Sequence, residues 1–143
     1  MIVKIALYKG PPTTQPRLFA HRAICSVTKG PYSHCELIDA EGWGWSSSYW
    51  DGGVRRKQVD FNSGRWDVIE VEGDREKAVA WFEANNGEPY GWWGLLAWLL
   101  PFRLSDAKHP FCSSCIAMAL DRPNAWKVSP NDMAGWRLSG ETT

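Results

Sequence analysis

The sequence lacks a hydrophobic segment long enough to cross a membrane. The longest apolar stretch, residues 90–102, has about 13 residues, whereas a membrane-spanning helix needs about 20. The first ten residues are also unlike a signal peptide, because Lys4 interrupts a short apolar run and no small-residue cleavage site follows. We therefore expect a protein with no transmembrane segment and no signal peptide.

An excess of charge of one sign is also missing, and cysteine is scarce. Lys plus Arg number 16 and Asp plus Glu number 16, so the net charge is near zero. This balance argues against a nucleic-acid partner, which requires a basic surface. The chain has four cysteines in 143 residues, and a domain of this size does not need a disulfide scaffold. We expect reduced thiols, available for metal binding or catalysis.

Tryptophan, by contrast, is abundant. The chain has ten Trp, and its composition of 44% hydrophobic and 22% charged residues is that of an ordinary globular protein. The length predicts one domain over residues 1–143. The aromatic segment of residues 90–100 is apolar all round, which predicts a buried helix or the wall of a binding groove.

The pattern of apolar residues predicts an α+β domain, in which an antiparallel meander packs against helices. The predicted strands cover residues 2–8, 33–39, 43–50, 54–61 and 66–71. The predicted helices cover residues 16–28, 74–85, 89–100 and 112–121, and the tail from about residue 122 is mostly irregular. A turn at residues 40–42 joins the second and third strands as a hairpin.

Two short segments carry residues suited to nucleophilic catalysis. His34 begins a predicted strand, and Cys112 begins a predicted helix. At a helix N-terminus the dipole and the free backbone N–H groups favour a thiolate, and they can also bind an oxyanion. A facing imidazole can act first as a base and then as an acid. The pattern indicates a Cys–His hydrolase, with a buried cysteine and an unrelated surface histidine as the alternative.

The order of these elements, together with four short motifs, resembles the circularly permuted NlpC-type papain-like cysteine hydrolases, among them the YiiX-like proteins. The motifs are PYSHCEL at 31–37, DGGVR at 51–55, YGWWGL at 90–95 and FCS at 111–113. In that superfamily the permutation places the His-bearing sheet before the Cys-bearing helix. The chain looks most like small phage and prophage proteins of this type.

This resemblance implies a permuted papain-like fold and cleavage of an amide or ester bond. It implies a substrate that is a peptidoglycan peptide, a protein isopeptide or a lipid amide, and a location in the host cytoplasm or the phage virion. The motif matches imply that Cys112 is the nucleophile and His34 the base. Ser114 departs from the pattern, because related sequences commonly carry Glu at that position. The alternative function is therefore a catalytically silent binding or virion-assembly module.

The residue that orients His34 has two candidates. The resemblance implies a position on the strand after the hairpin, where this chain has Ser46 in place of the more usual His, Asn or Gln. Glu36 competes with it, because residues i and i+2 of a strand share a face, and a carboxylate raises the basicity of an imidazole more than a hydroxyl does. Both candidates remain open at this point.

Cys112 and Cys115 also form a CxxC pair. With His109, and with His34 or Cys35 as a fourth ligand, they have the donor types of a zinc site. No second CxxC follows, so the signal is weak. We expect no metal and no other cofactor, and we keep a zinc-binding domain as the third interpretation.

Two arginines follow the turn at residues 51–53. Arg55 and Arg56 are expected to lie at a solvated strand edge, and binding of a substrate carboxylate is the alternative.

Overall fold

The computed structural model describes residues 1–10, 17–48, 50–89 and 112–138. Its strands are β1 (Ile2–Tyr8), β2 (His34–Ile38), β3 (Gly44–Ser48), β4 (Gly53–Lys57) and β5 (Trp66–Glu72). Its helices are α1 (Arg17–Thr28), α2 (Arg75–Ala84), α3 (Cys112–Ala119) and α4 (Pro130–Met133), and 3-10 helices cover Ala125–Lys127 and Ala134–Trp136. The predicted α+β class is confirmed. The helix predicted over residues 89–100 lies outside the described residues, apart from Pro89.

The five strands form one antiparallel sheet with the order β4-β3-β2-β1-β5. β2, β3 and β4 follow one another as a meander, as predicted. β5 does not continue this meander, because it pairs with β1 at the opposite edge, from Ile2 with Glu72 to Tyr8 with Trp66. β1, β2 and β3 thus occupy the interior of the sheet, where each has a neighbouring strand on both sides.

The hydrophobic core lies on one face of this sheet, between the strands and helices α2 and α3. Every second residue of a strand points to the same face, so the alternation in the strands produces a continuous apolar layer. The fully buried side chains of this layer include Val3, Ile5, Leu7, Leu37, Ile69, Val71, Phe82 and Ile116. Among the described residues, no helix is long and apolar enough to cross a membrane.

Local interactions explain where several elements begin and end. Asp74 caps α2, since its carboxylate accepts a hydrogen bond from the Lys77 N–H at 3.1 Å. In the β2–β3 turn, Asp39 Oδ1 accepts from the N–H groups of Glu41 and Trp43, each at 3.0 Å. Gly42 has a φ of 85° in this turn, a conformation that favours glycine. These contacts set the hairpin that carries His34.

Candidate active site

β2 and β3 are paired only close to the turn that joins them. Their register links Leu37 with Trp45 and Ile38 with Gly44, whereas β3 stays paired with β4 as far as Ser48. The first half of β2 therefore has no ladder partner on the β3 side. Backbone groups there must find other partners, because a buried N–H or C=O without a hydrogen bond is costly. Helix α3 packs against both β2 and β3 beside this gap.

Cys35 of β2 supplies backbone groups to this gap. Its carbonyl oxygen accepts a hydrogen bond from the Ser46 hydroxyl at 2.7 Å. Its backbone forms a hydrogen bond to the Cys112 sulfur that lowers the pKa of that thiol, so the donor is the Cys35 N–H. The parting of the two strands thus brings the first residue of α3 against β2.

Cys112 begins α3 and is buried, with 5% of its surface exposed. Its pKa is well below that of an ordinary thiol, and the largest cause is a hydrogen bond from the Cys35 thiol. Burial opposes this shift, while the charge and hydrogen bonding of His34 and the Cys35 N–H add to it. The surroundings of Cys112 therefore favour the thiolate.

His34 lies beside Cys112, and its side chain is 22% exposed. Burial alone lowers the pKa of His34, but the Cys112 charge and the hydrogen bonds to Cys112 and Glu36 raise it to about 9. The Trp66 ring borders the imidazole, with 6.2 Å between the ring centroids. The structure thus brings His34 and Cys112 together, and their opposite pKa shifts favour an imidazolium beside a thiolate.

The Glu36 carboxylate forms a hydrogen bond with the His34 imidazole. The imidazole Nε2 donates to Glu36 Oε1 at 2.8 Å, and the Glu36 side chain is 1% exposed. Arg55 holds both carboxylate oxygens, since Nη1 donates to Oε2 at 2.7 Å and Nη2 donates to Oε1 at 2.6 Å. Burial raises the pKa of Glu36, but Arg55 and then His34 outweigh it and lower that pKa below the ordinary value. Glu36 is therefore ionised despite its burial.

Ser46 is not placed as the orienting residue. Among the described residues no hydrogen bond joins Ser46 to His34, and the Ser46 hydroxyl instead donates to the Cys35 carbonyl. The physical reason is the gap between β2 and β3, which leaves that carbonyl without a ladder donor. Of the two candidates from the sequence, Glu36 is the one that contacts the imidazole.

Arg55 does not lie at a solvated edge, so that expectation is wrong. Its side chain is only 15% exposed, and its Nε also donates to Asp51 Oδ2 at 3.0 Å. Arg56 points to the other face, where it contacts Asp39 and Glu41 and stacks on Trp43. The hairpin registers contain a signal for this contact. When the β2–β3 register is extended beyond its paired residues, Glu36 falls opposite Ser46, and Ser46 pairs with Arg55.

Cys35 is a neighbour of Cys112, and the sequence pattern suggests Cys35 only as a zinc ligand. It follows His34 directly, so the strand period sends its side chain to the opposite face, toward α3. Burial and the adjacent Cys112 raise the pKa of Cys35 well above the usual range. Cys35 therefore keeps its proton and acts as a hydrogen-bond donor.

Cys115 and Ser114 lie on the buried side of α3. Burial and the Cys112 charge raise the pKa of Cys115, whereas the pKa of Cys112 is lowered. The two cysteines of the CxxC pair therefore have pKa shifts in opposite directions. Within the part of the chain that the structure describes, no group of three or more His, Cys, Asp or Glu side chains is arranged to hold a metal ion. His109, a ligand in the zinc interpretation, lies outside that part.

A second cysteine and histidine meet on α1. Cys25 Sγ lies 3.8 Å from His21 Nε2, and His21 Nδ1 lies 2.5 Å from Ser33 Oγ. Burial and the charge of Arg22 lower the pKa of His21, and burial raises the pKa of Cys25. Both shifts favour neutral groups, which is the reverse of the Cys112–His34 pair.

Comparisons of this chain with protein-family models, with curated proteins and with solved structures find no match.

Proposed function

We propose that this protein is a cysteine hydrolase with a permuted papain-like fold, which cleaves an amide or ester bond. The observation that carries the proposal is the line of groups Cys112, His34 and Glu36, in which a helix-start thiol lies beside an imidazole that is itself held by a buried carboxylate. This arrangement supplies a nucleophile, a proton carrier and an orienting group. The motif resemblance supports the same assignment.

In the first step the Cys112 thiolate attacks the substrate carbonyl carbon. A C–S bond forms, and the carbonyl electron pair moves to the oxygen, where N–H groups at the start of α3 stabilise the negative charge. The His34 imidazolium then gives its proton to the leaving nitrogen or oxygen as the carbon–leaving-group bond breaks. The products are a free amine or alcohol and a thioester on Cys112.

In the second step a water molecule attacks the thioester. Neutral His34 takes a proton from this water, and the resulting tetrahedral intermediate expels the Cys112 thiolate. The acid product leaves, and the imidazolium beside the thiolate is restored. Glu36 stays ionised throughout, because its role is to hold Nε2–H and to stabilise the imidazolium, which leaves Nδ1 for proton exchange.

The substrate classes are those that the resemblance implies. To test them, the protein is incubated with peptidoglycan fragments, long-chain acyl amides and ubiquitin-like conjugates, and the products are identified by mass spectrometry. We expect one class to be cleaved, and we expect Cys112→Ala to lose at least about 1,000-fold of that activity. A thioester trapped on Cys112 identifies the acyl half of the substrate.

The control is Cys115→Ser, which leaves Cys112 and His34 unchanged and should retain activity. If the wild-type protein cleaves none of the three classes and Cys112 reacts no faster than an ordinary buried thiol, the hydrolase proposal is wrong and the silent binding or virion-assembly module takes its place. A Cys112 that becomes reactive only after a chelator is added indicates zinc instead.

A further inference from the structure

We propose that Arg55 is a positioning residue of this site, which holds the Glu36 carboxylate against His34 and so keeps the Cys112–His34 pair ionised. This inference rests on the proposed function and goes beyond it, because Arg55 belongs to another strand and does not touch the reacting groups. The sequence pattern favours a solvated or substrate-binding Arg55. Its two terminal nitrogens are instead committed to Glu36.

The contacts of Arg55 fix the carboxylate in both position and plane. The two Nη···Oε distances of 2.6 and 2.7 Å form a bidentate pair, the geometry in which an arginine constrains a carboxylate most strongly. Oε1 accepts from both Arg55 and His34, so the guanidinium and the imidazole bind one shared oxygen. Any rotation of the carboxylate therefore breaks contacts to both cations.

Two small residues leave room for this contact. Ser46 pairs with Arg55 in the β3–β4 register and is fully buried, and Arg55 reaches across β3 to the carboxylate on β2. A Cβ atom at Gly44 would lie 2.8 Å from Glu36 Oε2 and 3.1 Å from Phe61 Cζ. The lack of a side chain at Gly44 therefore gives the carboxylate its space.

Asp51 binds the remaining nitrogen of the Arg55 guanidinium, Nε. Arg55 Nε donates to Asp51 Oδ2 at 3.0 Å, and Lys57 Nζ donates to Asp51 Oδ1 at 3.1 Å. Within the described ranges, the titratable and charged groups around the site, from all the elements packed against it, are His34, Cys35, Glu36, Asp51, Arg55, Lys57, Cys112 and Cys115. Arg55 is the cation of this set that binds Glu36 from β4, across the intervening strand β3.

The test measures the rate of Cys112 alkylation by iodoacetamide as a function of pH, which needs no substrate. In Arg55→Met the rising limb of the rate–pH curve, which reports the thiolate, should move to higher pH by about one pH unit, because Glu36 is no longer held against His34. Arg55→Lys keeps the charge but not the bidentate geometry, and its limb should lie between those of the wild type and Arg55→Met. A residue that contributes only to folding would leave the limb of the folded protein unmoved.

The matched control is Arg56→Met, since Arg56 is the next residue and also binds a carboxylate, Asp39, at 2.7 Å. Its alkylation profile should equal that of the wild type. The double variant Glu36→Gln/Arg55→Met should have the same profile as Glu36→Gln alone, because Arg55 acts through Glu36.

Three results would overturn the inference: an unmoved limb in Arg55→Met, additive effects in the double variant, or an equal shift in Arg56→Met. If Arg55→Met does not fold, Arg55→Lys and Asp51→Asn provide the same test, and an unmoved limb in both is the contradicting result. A wild-type protein without a low-pH thiolate limb instead contradicts the proposed function, so the two failures are distinguishable.

Discussion

Glu36 and His34 stand two residues apart on one strand, and the Nε2–H of His34 donates to Glu36 Oε1 at 2.8 Å. A buried carboxylate in this position stabilises the positive charge of the imidazole. It also fixes Nε2 as the nitrogen that keeps its proton when the imidazole is neutral. The other nitrogen is left for the Cys112 side of the site. This relationship makes the behaviour of His34 depend on pH in a way that can be measured.

The first prediction concerns Glu36→Gln. The pKa of His34, raised to about 9 in the wild type, should fall, because the carboxylate that stabilises the imidazolium is gone. An NMR titration of the imidazole measures this directly. In the proposed mechanism the imidazolium protonates the leaving group, so the hydrolysis rate should decrease as the pH rises through about 9, and in Glu36→Gln this decrease should begin at lower pH.

Glu72→Gln is the control for this change, because Glu72 is exposed at the far end of β5 and its carboxylate binds the N-terminal amine at 3.3 Å. Its His34 titration should match the wild type. An unchanged His34 pKa in Glu36→Gln would mean that the carboxylate does not stabilise the imidazolium.

The second prediction is that Cys112 reacts first among the four cysteines. Near pH 6 an ordinary free thiol is less than about 1% thiolate, so brief exposure to iodoacetamide should label a thiol with a lowered pKa selectively. Peptide mapping by mass spectrometry reports all four sites in one experiment. Cys25, Cys35 and Cys115 should lag, because burial raises the pKa of each.

The preference for Cys112 should shrink in His34→Ala, which removes the neighbouring cation, and should persist in Cys115→Ser. Equal labelling of the four cysteines, or labelling of Cys112 that is indifferent to His34, would count against an activated nucleophile and in favour of a silent module.

The third prediction separates the hydrogen bond of Cys35 from its bulk. In Cys35→Ala the Cys112 thiolate loses its thiol donor, so the pKa of Cys112 should rise. Cys35→Ser retains an O–H donor at the same place and should keep the pKa of Cys112 closer to the wild-type value. The pH dependence of Cys112 alkylation measures both variants. A rise of equal size in the two variants would show that packing, and not donation, is what Cys35 contributes.

The fourth prediction tests the space occupied by Glu36. Gly44→Ala places a methyl group 2.8 Å from Glu36 Oε2, so it should displace the carboxylate and lower the free energy of unfolding by about 1–3 kcal/mol. Gly135→Ala is the matched control, since a Cβ atom there would have open space within 4 Å among the described residues. Urea unfolding should show a loss for Gly44→Ala and little change for Gly135→Ala. Equal losses in the two variants would mean that the space beside Glu36 is not what Gly44 provides.

Much of the secondary structure follows from local sequence. Asp74 as a cap and the apolar spacing after it predict α2, and the helix runs from Arg75 to Ala84. The alternation around the turn at residues 40–42 predicts the β2–β3 hairpin. These features are local because a capping side chain and a turn residue act on backbone groups within a few positions of themselves.

The neighbour of β5 is set by long-range packing. Its sequence predicts a strand but holds no information on the strand it pairs with, and continuation of the meander is the expectation. The strand instead pairs with β1, from which one helix and three strands separate it along the chain. The pairing of distant strands depends on which apolar faces cover a common core, and no local pattern specifies that.

In the site, too, some features follow from local sequence and others depend on tertiary contacts. Residue types and the periods of helix and strand are enough to establish that a thiol begins a helix, that an imidazole begins a strand, and that Glu36 shares a face with His34. The choice between Glu36 and Ser46 required contacts between strands, which no local period contains. The parting of β2 from β3 commits the Ser46 hydroxyl to the Cys35 carbonyl, and Arg55 from β4 binds Glu36 in the buried position from which it reaches His34.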